Sequence, residues 1–269
     1  MLDYIQIMEG ITMYCLNKED MYKIASIFEG WNETLLWSCL QGYMGKAWAD
    51  DIENPKSAQI LVGDFCFFAG VSNMELVRNI PDYFASQCIL MIPQDGEWAD
   101  LIVQEYKNNC HKFIRYAIKK ELHVFDTEKL HSYIEKLPSD YSLRKIDEEI
   151  YNHLPSEEWS RDFCSQFPTY HDFVKYGLGF VAIHKDKLVS GASSYTVYDK
   201  GIEIELDTKE EYRRKGLALA CASKLILECL DRELYPSWDA ANKESVALSE
   251  KLGYHFEKEY VTYAITNFR

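Results

Sequence analysis

The chain has no excess of positive charge in either half. Its 29 Lys+Arg face 43 Asp+Glu, a formal net charge of −14 over 269 residues. Residues 1–130 carry 11 basic against 19 acidic side chains, which leaves 18 against 24 in residues 131–269. Without a basic tail or basic domain, general nucleic-acid binding is disfavoured, because that binding rests on neutralising phosphates. An acidic surface favours small cationic partners such as amines, and by itself it also serves solubility. The eight cysteines, Cys15, Cys39, Cys66, Cys88, Cys110, Cys164, Cys221 and Cys229, form no CxxC pair. No histidine cluster joins them at zinc-ligand spacing, so no metal is expected. They read as free, mostly buried thiols of a reducing compartment. No apolar run approaches the roughly 18 residues of a membrane span. The first ten residues show no basic stretch followed by an apolar one, so no leader is expected there. The expected location is cytoplasmic, without a membrane partner. No repeat or low-complexity stretch is present.

What is present is apolar and aromatic. With 47% hydrophobic and 14% aromatic residues, the chain can bury a sizeable core, and its length fits two ordinary domains. Residues 17–29 read as a helix with Met21, Ile24, Ile27 and Phe28 on one face. Two apolar strands flank Gly63-Asp64, a short helix precedes Pro81, and residues 88–92 form a buried strand. Residues 98–120 read as one long amphipathic helix, with Leu101, Val103, Tyr106, Phe113, Ile114 and Ala117 as core candidates. A short polar helix and Leu137-Pro138-Ser139-Asp140 suggest a linker over 126–140. The expected domains are therefore 1–125 and 141–269.

The second domain begins with a strand at 142–146 and helices near 147–152 and 157–166. Strands follow at 179–184, 188–198 and 202–208, joined by Lys185-Asp186-Lys187 and Asp199-Lys200-Gly201 turns, an antiparallel meander. Then come a helix over 217–231, a short strand over 237–241, a helix over 244–252, and two strands near 253–257 and 259–266. The fold class is α/β, a mixed and mostly antiparallel sheet.

The chemistry concentrates in Asp207-Thr-Lys-Glu-Glu-Tyr-Arg213-Arg214-Lys215-Gly216-Leu217-Ala218. A strand ends, a basic loop follows, and a helix begins. Exposed N–H groups and the positive end of the helix dipole then converge on one spot, a geometry that holds phosphate oxygens. Three basic residues in an acidic chain put positive potential there. Glu203 and Glu205 alternate with Ile204 and Leu206, which places both carboxylates on one side of the strand. Either could accept a proton from an ammonium group, or both could be solvated surface residues.

Arg213-x-x-Gly216-x-Ala218 resembles the Arg/Gln-x-x-Gly-x-Gly/Ala signature of the GNAT N-acetyltransferase superfamily. Asn242-x-x-Ser245-x-x-Leu248-x-x-Lys251-Leu252-Gly253-Tyr254 resembles its second motif. The resemblance covers residues 140–269 and implies a GNAT acyl-CoA N-acyltransferase fold with an additional N-terminal α/β domain. It implies an acyltransferase moving an acetyl group from acetyl-CoA to a primary amine of a small molecule by direct transfer. Backbone amides of Arg214, Lys215, Gly216, Leu217, Ala218 and Leu219 would hold the pyrophosphate, with Arg213 in the motif. Leu206 and Thr208 would pair with the pantetheine arm, and an amide near Thr208 would polarise the thioester carbonyl. Asn242 and Ser245 would contact the cofactor. Glu205 and Glu203 are the candidate bases. Many members carry Tyr seven residues after the motif Asn; here it is Ser249, a poor acid beside a phenol, and Tyr254, Tyr195 or solvent could substitute.

The whole-chain layout resembles a branch with an extra N-terminal domain, similar to zwittermicin-type resistance acetyltransferases. That domain could be a degenerate GNAT-like half or a structural, dimerising one, so a homodimer is left open. Two other readings stay open here. One is a non-catalytic acyl-CoA-binding or regulatory module. The other is a two-lobed transferase drawing on aminoacyl-tRNA, which the charge balance disfavours.

Overall fold

The computed structural model describes residues 13–268; the reading of the first ten residues lies outside them. The chain divides into two compact units, residues 1–114 with 260–269, and Arg115–Glu259.

In the first unit, β1 (Tyr14–Cys15), β2 (Lys46–Ala49), β3 (Ser57–Val62) and β4 (Phe65–Gly70) pair antiparallel in turn. The α1 helix (Thr34–Leu40) packs beside β3. Strand β3 is buried along its length, which explains why its sequence reads as a continuous apolar run rather than an alternating one. After α2 (Met74–Arg78), β5 (Cys88–Pro93) joins β4 in parallel. The α3 helix (Gly96–Tyr106) starts where the Asp95 carboxylate accepts from the N–H groups of Glu97 and Trp98. Trp98 is fully buried; its ring stacks on Phe68 at 5.3 Å and its indole N–H donates to Gly70 O at 2.9 Å.

Two expectations in this part are corrected. Residues 98–120 are not one helix. The helix stops where Lys107 takes φ +45°, and Cys110–Ile118 (β6) is a strand. Cys-His-Lys-Phe-Ile-Arg-Tyr-Ala-Ile is rich in β-branched and aromatic residues, and behind Asn108-Asn109 that preference prevails. Val103, expected in the core, is exposed. Residues 17–29 form two short 3-10 segments, Lys18–Lys23 and Ala25–Phe28, which still bury Met21, Ile24 and Phe28.

The second unit starts with the end of β6 and α4 (Thr127–Glu135), which packs on α7 (Leu217–Asp231). Its five-stranded sheet runs β11-β10-β9-β8-β7, with β7 (Tyr141–Lys145), β8 (Gly179–His184), β9 (Lys187–Tyr198), β10 (Gly201–Thr208) and β11 (Tyr235–Ser237). The first four are antiparallel neighbours; β11 joins β10 in parallel. The α7 helix buries Leu217, Cys221, Leu225 and Ile226 against β8, β9 and β10. Between β7 and β8 lie α5 (Glu148–His153) and α6 (Tyr170–Tyr176). The expected helix over 157–166 is a run of turns instead. Ser160, Phe163 and Phe167 each bond back three residues, and the Phe163 carbonyl accepts from Ser193 Oγ. The Phe163 ring seats on Gly191, where a Cβ would lie 2.4 Å from it, so packing onto β9 overrides the helical spacing.

The chain closes with β12 (Asp239–Ala240), α8 (Lys243–Leu252) and β13 (Phe256–Thr266). One terminal strand stands where two were expected, since no glycine or proline interrupts 256–266. In the first unit β13 pairs antiparallel with β5.

Leu225→Ala is expected to lower the unfolding free energy by about 2–5 kcal/mol, the range for a buried leucine in a tight core. Val103→Ala should stay within about 0.5 kcal/mol. Urea denaturation followed by circular dichroism checks both, and a large loss at Val103 would restore it to the core.

Candidate active site

Strand β10 is where the second unit departs from a regular sheet. Its pairing with β11 covers Gly201↔Tyr235, Ile202↔Pro236 and Glu203↔Ser237, and no further. Beyond Ser237 the chain turns at Trp238, and Asp239 and Ala240 pair antiparallel with Ala117 and Tyr116 of β6. Among the described residues, the rest of β10, Ile204 to Thr208, pairs with β9 on one side only. Lys209 N–H donates to Val189 O of that neighbour. Alternation along the ladder therefore turns the backbone N–H and C=O groups of Thr208, Leu206 and Ile204 toward the open side. At the vertex, the register with β9 passes from Glu203↔Thr196 to Ile204↔Ser194, so Tyr195 is an extra residue, a β-bulge.

The open edge leads into the basic loop. Arg213 turns back, its Nε donating to Thr208 O at 3.1 Å and its Nη2 lying 3.6 Å from Asp207 Oδ1. Thr208 N–H donates to Asp207 Oδ1, and the Thr208 hydroxyl bonds Ser190 Oγ at 2.7 Å. Lys215 Nζ stands 4.5 Å above the Tyr212 ring, and the Tyr212 hydroxyl bonds His184 Nδ1 at 3.2 Å. Arg214 and Gly216 both take positive φ, +61° and +82°.

Helix α7 begins at Gly216 without a side-chain cap. Each of the seven other α-helices among the described residues has its first turn capped by an Asp, Asn, Thr or Glu side chain. The first intrahelical bond of α7 is Ala220 N–H to Gly216 O, so the amides of Leu217, Ala218 and Leu219 precede the ladder. A Cβ on Gly216 would meet nothing within 4 Å; glycine is favoured by the left-handed backbone and keeps the space before those amides clear. Uncapped amides, a helix dipole and exposed Arg214 and Lys215 form an anion cradle at the end of an unpaired strand edge. No group of ligating side chains suited to a metal occurs among the described residues.

A family model described as GNAT acetyltransferase matches residues 25–263. The chain belongs to the GNAT acetyltransferase family. It is 44% identical to the GCN5-related N-acetyltransferase-like protein of Streptococcus suis 89/1591, over 91% of this chain and 98% of that one, with a TM-score of 0.86. It is 27% identical to the uncharacterized N-acetyltransferase YdfB of Bacillus subtilis (strain 168), over 92% and 97% of the two chains. A tandem GNAT protein from the clavulanic acid biosynthesis pathway shares the fold at 11% identity and a TM-score of 0.57, over 94% of this chain and 98% of that one. The protein is thus an acyltransferase enzyme of GNAT fold.

The two acidic candidates of this GNAT enzyme differ in setting. Glu203, at the vertex, is only 5% exposed, whereas Glu205 on the open stretch is half-buried. Asn242 Oδ1 caps α8 by accepting from Ser245 N–H at 2.9 Å, and Ser245 Oγ accepts from the Trp238 indole at 3.0 Å. Ser249 is fully buried and its hydroxyl donates to Val246 O within its own helix; it has no proton to give outside α8. Tyr254 is also enclosed, 2% exposed, with its hydroxyl donating to Pro236 O. Burial pushes the Cys221 thiol up to about 12, which removes it as a nucleophile at neutral pH.

Sequence reasoning missed several groups around this site. Tyr198 bonds Ser237 Oγ at 2.7 Å across β9 and β11. Lys209 Nζ pairs with Glu157 at 2.6 Å and lies over the Trp159 ring. Arg115, in the segment expected to be helical, is the partner of Asp239. Only the Tyr198 strand end carried a local signal, an aromatic before a turn.

Desolvation by burial raises the phenol pKa of Tyr198 and Tyr254, and that of Tyr235 to about 12. These groups keep their protons in the fold, so their contribution is complete below about pH 10, the ordinary tyrosine value. It is lost as pH climbs from there toward 12. Thermal denaturation between pH 8 and 11.5 should show a melting temperature that falls steeply above about pH 10. A flat profile would mean that the phenols are solvated.

Proposed function

We propose that this enzyme transfers an acetyl group from acetyl-CoA to the primary amine of a small molecule, working in the cytoplasm. One observation carries the reading: β10 keeps an unpaired edge that ends in an uncapped helix start and a basic loop. An edge of alternating N–H and C=O groups suits the amides of a pantetheine arm. The amides of Arg214 through Leu219 suit a pyrophosphate. The clear space before Gly216 fits close approach of such a group.

Bound there, acetyl-CoA supplies the acyl group already activated as a thioester. The residues of the chain do the rest. Leu206 and Thr208 orient the donor along the edge, and an amide near Thr208, once released from the Asp207 carboxylate, stabilises charge on the carbonyl oxygen. Arg213 fixes the strand end to the loop. Asn242 and Ser245 place the start of α8 toward the cofactor. Glu205 or Glu203 takes the ammonium proton, directly or through water. With Ser249 and Tyr254 both bonded internally, Tyr195 at the β-bulge or solvent protonates the departing thiolate.

We also infer that the first unit is a degenerate GNAT-like half. Its β2-β3-β4 meander followed by parallel β5 repeats the order of β8-β9-β10 followed by parallel β11. There the parallel pair does not part. Phe65 to Phe68 pair with Leu90 to Pro93, and Gln94 N–H still bonds Phe68 O. The following helix α2 has five residues and a capping Asn73.

Titration calorimetry should therefore count one acetyl-CoA per chain, and Gly216→Val should weaken binding at least about tenfold with an unchanged far-UV spectrum, since a β-branched residue resists positive φ. A second equivalent would contradict the sealed first unit, and normal binding by the variant would misplace the site. In a thiol-release assay over an amine panel, Glu205→Gln or Glu203→Gln should cost about 10²-fold in kcat, the scale of general-base catalysis. Tight binding without turnover on any amine would favour a non-catalytic acyl-CoA module.

A further inference from the structure

The parting of β11 from β10 needs a cause. Continuing the parallel ladder would satisfy the backbone of Ile204 to Thr208, and the alternative partner, β6, gains only the two-residue strand β12. Side chains decide the competition. In the register set by Glu203↔Ser237, a continued ladder would place Trp238 against Ile204 and Asp239 against Glu205. Two carboxylates side by side on adjacent strands repel. On β6, by contrast, Asp239 Oδ1 accepts from Arg115 Nε at 2.8 Å and from Arg115 Nη2 at 2.5 Å. Both side chains are 11% exposed, a setting where an opposite charge is strongly preferred and a lone charge is costly. The pivot is fixed as well, with the Trp238 indole bonded to Ser245 and its ring 5.7 Å from that of Tyr254.

We propose that the Arg115–Asp239 ion pair, opposed to Glu205, holds the cofactor cleft open, and that Arg115 and Asp239 are positioning residues for the acyl donor. This rests on the acetyl-CoA reading above. The pair sets where β12 goes, and so leaves the β10 edge free for the donor. Neither residue touches the reacting atoms.

The experiment is calorimetric binding of acetyl-CoA to the full chain and its variants, with far-UV and thermal scans confirming that each is folded. Asp239→Asn and Arg115→Met should each raise the dissociation constant about tenfold, a loss of about 1.4 kcal/mol of donor binding. Arg115→Lys keeps the charge and should stay within about twofold. A purely structural role would lower the melting temperature while binding by the folded variants stayed at the wild-type level, and that result overturns the proposal. If the single variants do not fold, the double variant Arg115→Met with Asp239→Asn removes the ion pair and the charge facing Glu205 without leaving a lone buried charge. Weakened binding in that folded double variant supports the proposal, and wild-type binding overturns it. Absence of acetyl-CoA binding by the wild-type chain overturns the donor reading together with this inference, which separates the two failures.

Discussion

The second unit depends on a strand that loses its neighbour. Among the described residues, strand β10 is paired on both sides up to Glu203 and on one side after it. An unpaired edge of N–H and C=O groups inside a domain is costly unless something satisfies it. The same chain segment that abandons β10 after Ser237 is taken up by β6 within two residues, so the separation is built by exchange of partners rather than by fraying. What is assigned to donor binding lies along that edge: the open backbone of Leu206, the Thr208 carbonyl clamped by Arg213, and the uncapped start of α7.

Both units run an antiparallel meander into a parallel strand joined through a helix. Where the parallel pair stays zipped, the intervening helix is five residues long and capped by its own Asn73. Where it parts, the helix is fifteen residues long, begins at a left-handed glycine, and keeps its first amides ahead of the ladder. The same architecture is thus compatible with a site or with a filled core, depending on a few local choices.

Those choices differ in how far the sequence reveals them. The helix start is readable because Gly216 supplies the positive φ that ends the loop, whereas nothing in Arg213-Arg214-Lys215 marks the positive φ of Arg214. The meander was readable from its turns. Residues 98–120 were misread because apolar positions over that stretch suit a helix period and a strand period almost equally, and the break at Lys107 is a backbone feature with no strong residue signature. Residues 157–166 were misread because Phe163 is held by Gly191 and Ser193, which no local pattern encodes. The Arg115–Asp239 pair joins positions 124 residues apart, one of them inside the segment read as helix. The burial difference between Glu203 and Glu205 arises from the strand separation, which spacing along one strand does not contain.

In the proposed complex, acyl-CoA lies along the β10 edge and ends on the amides at the start of α7. Hydrogen–deuterium exchange of the full chain with and without acetyl-CoA tests it most directly. Exchange should slow in peptides spanning residues 204–219, with residues 65–78 of the first unit unchanged. Unchanged exchange over 204–219 in the presence of saturating acetyl-CoA, or protection confined to the first unit, would contradict it.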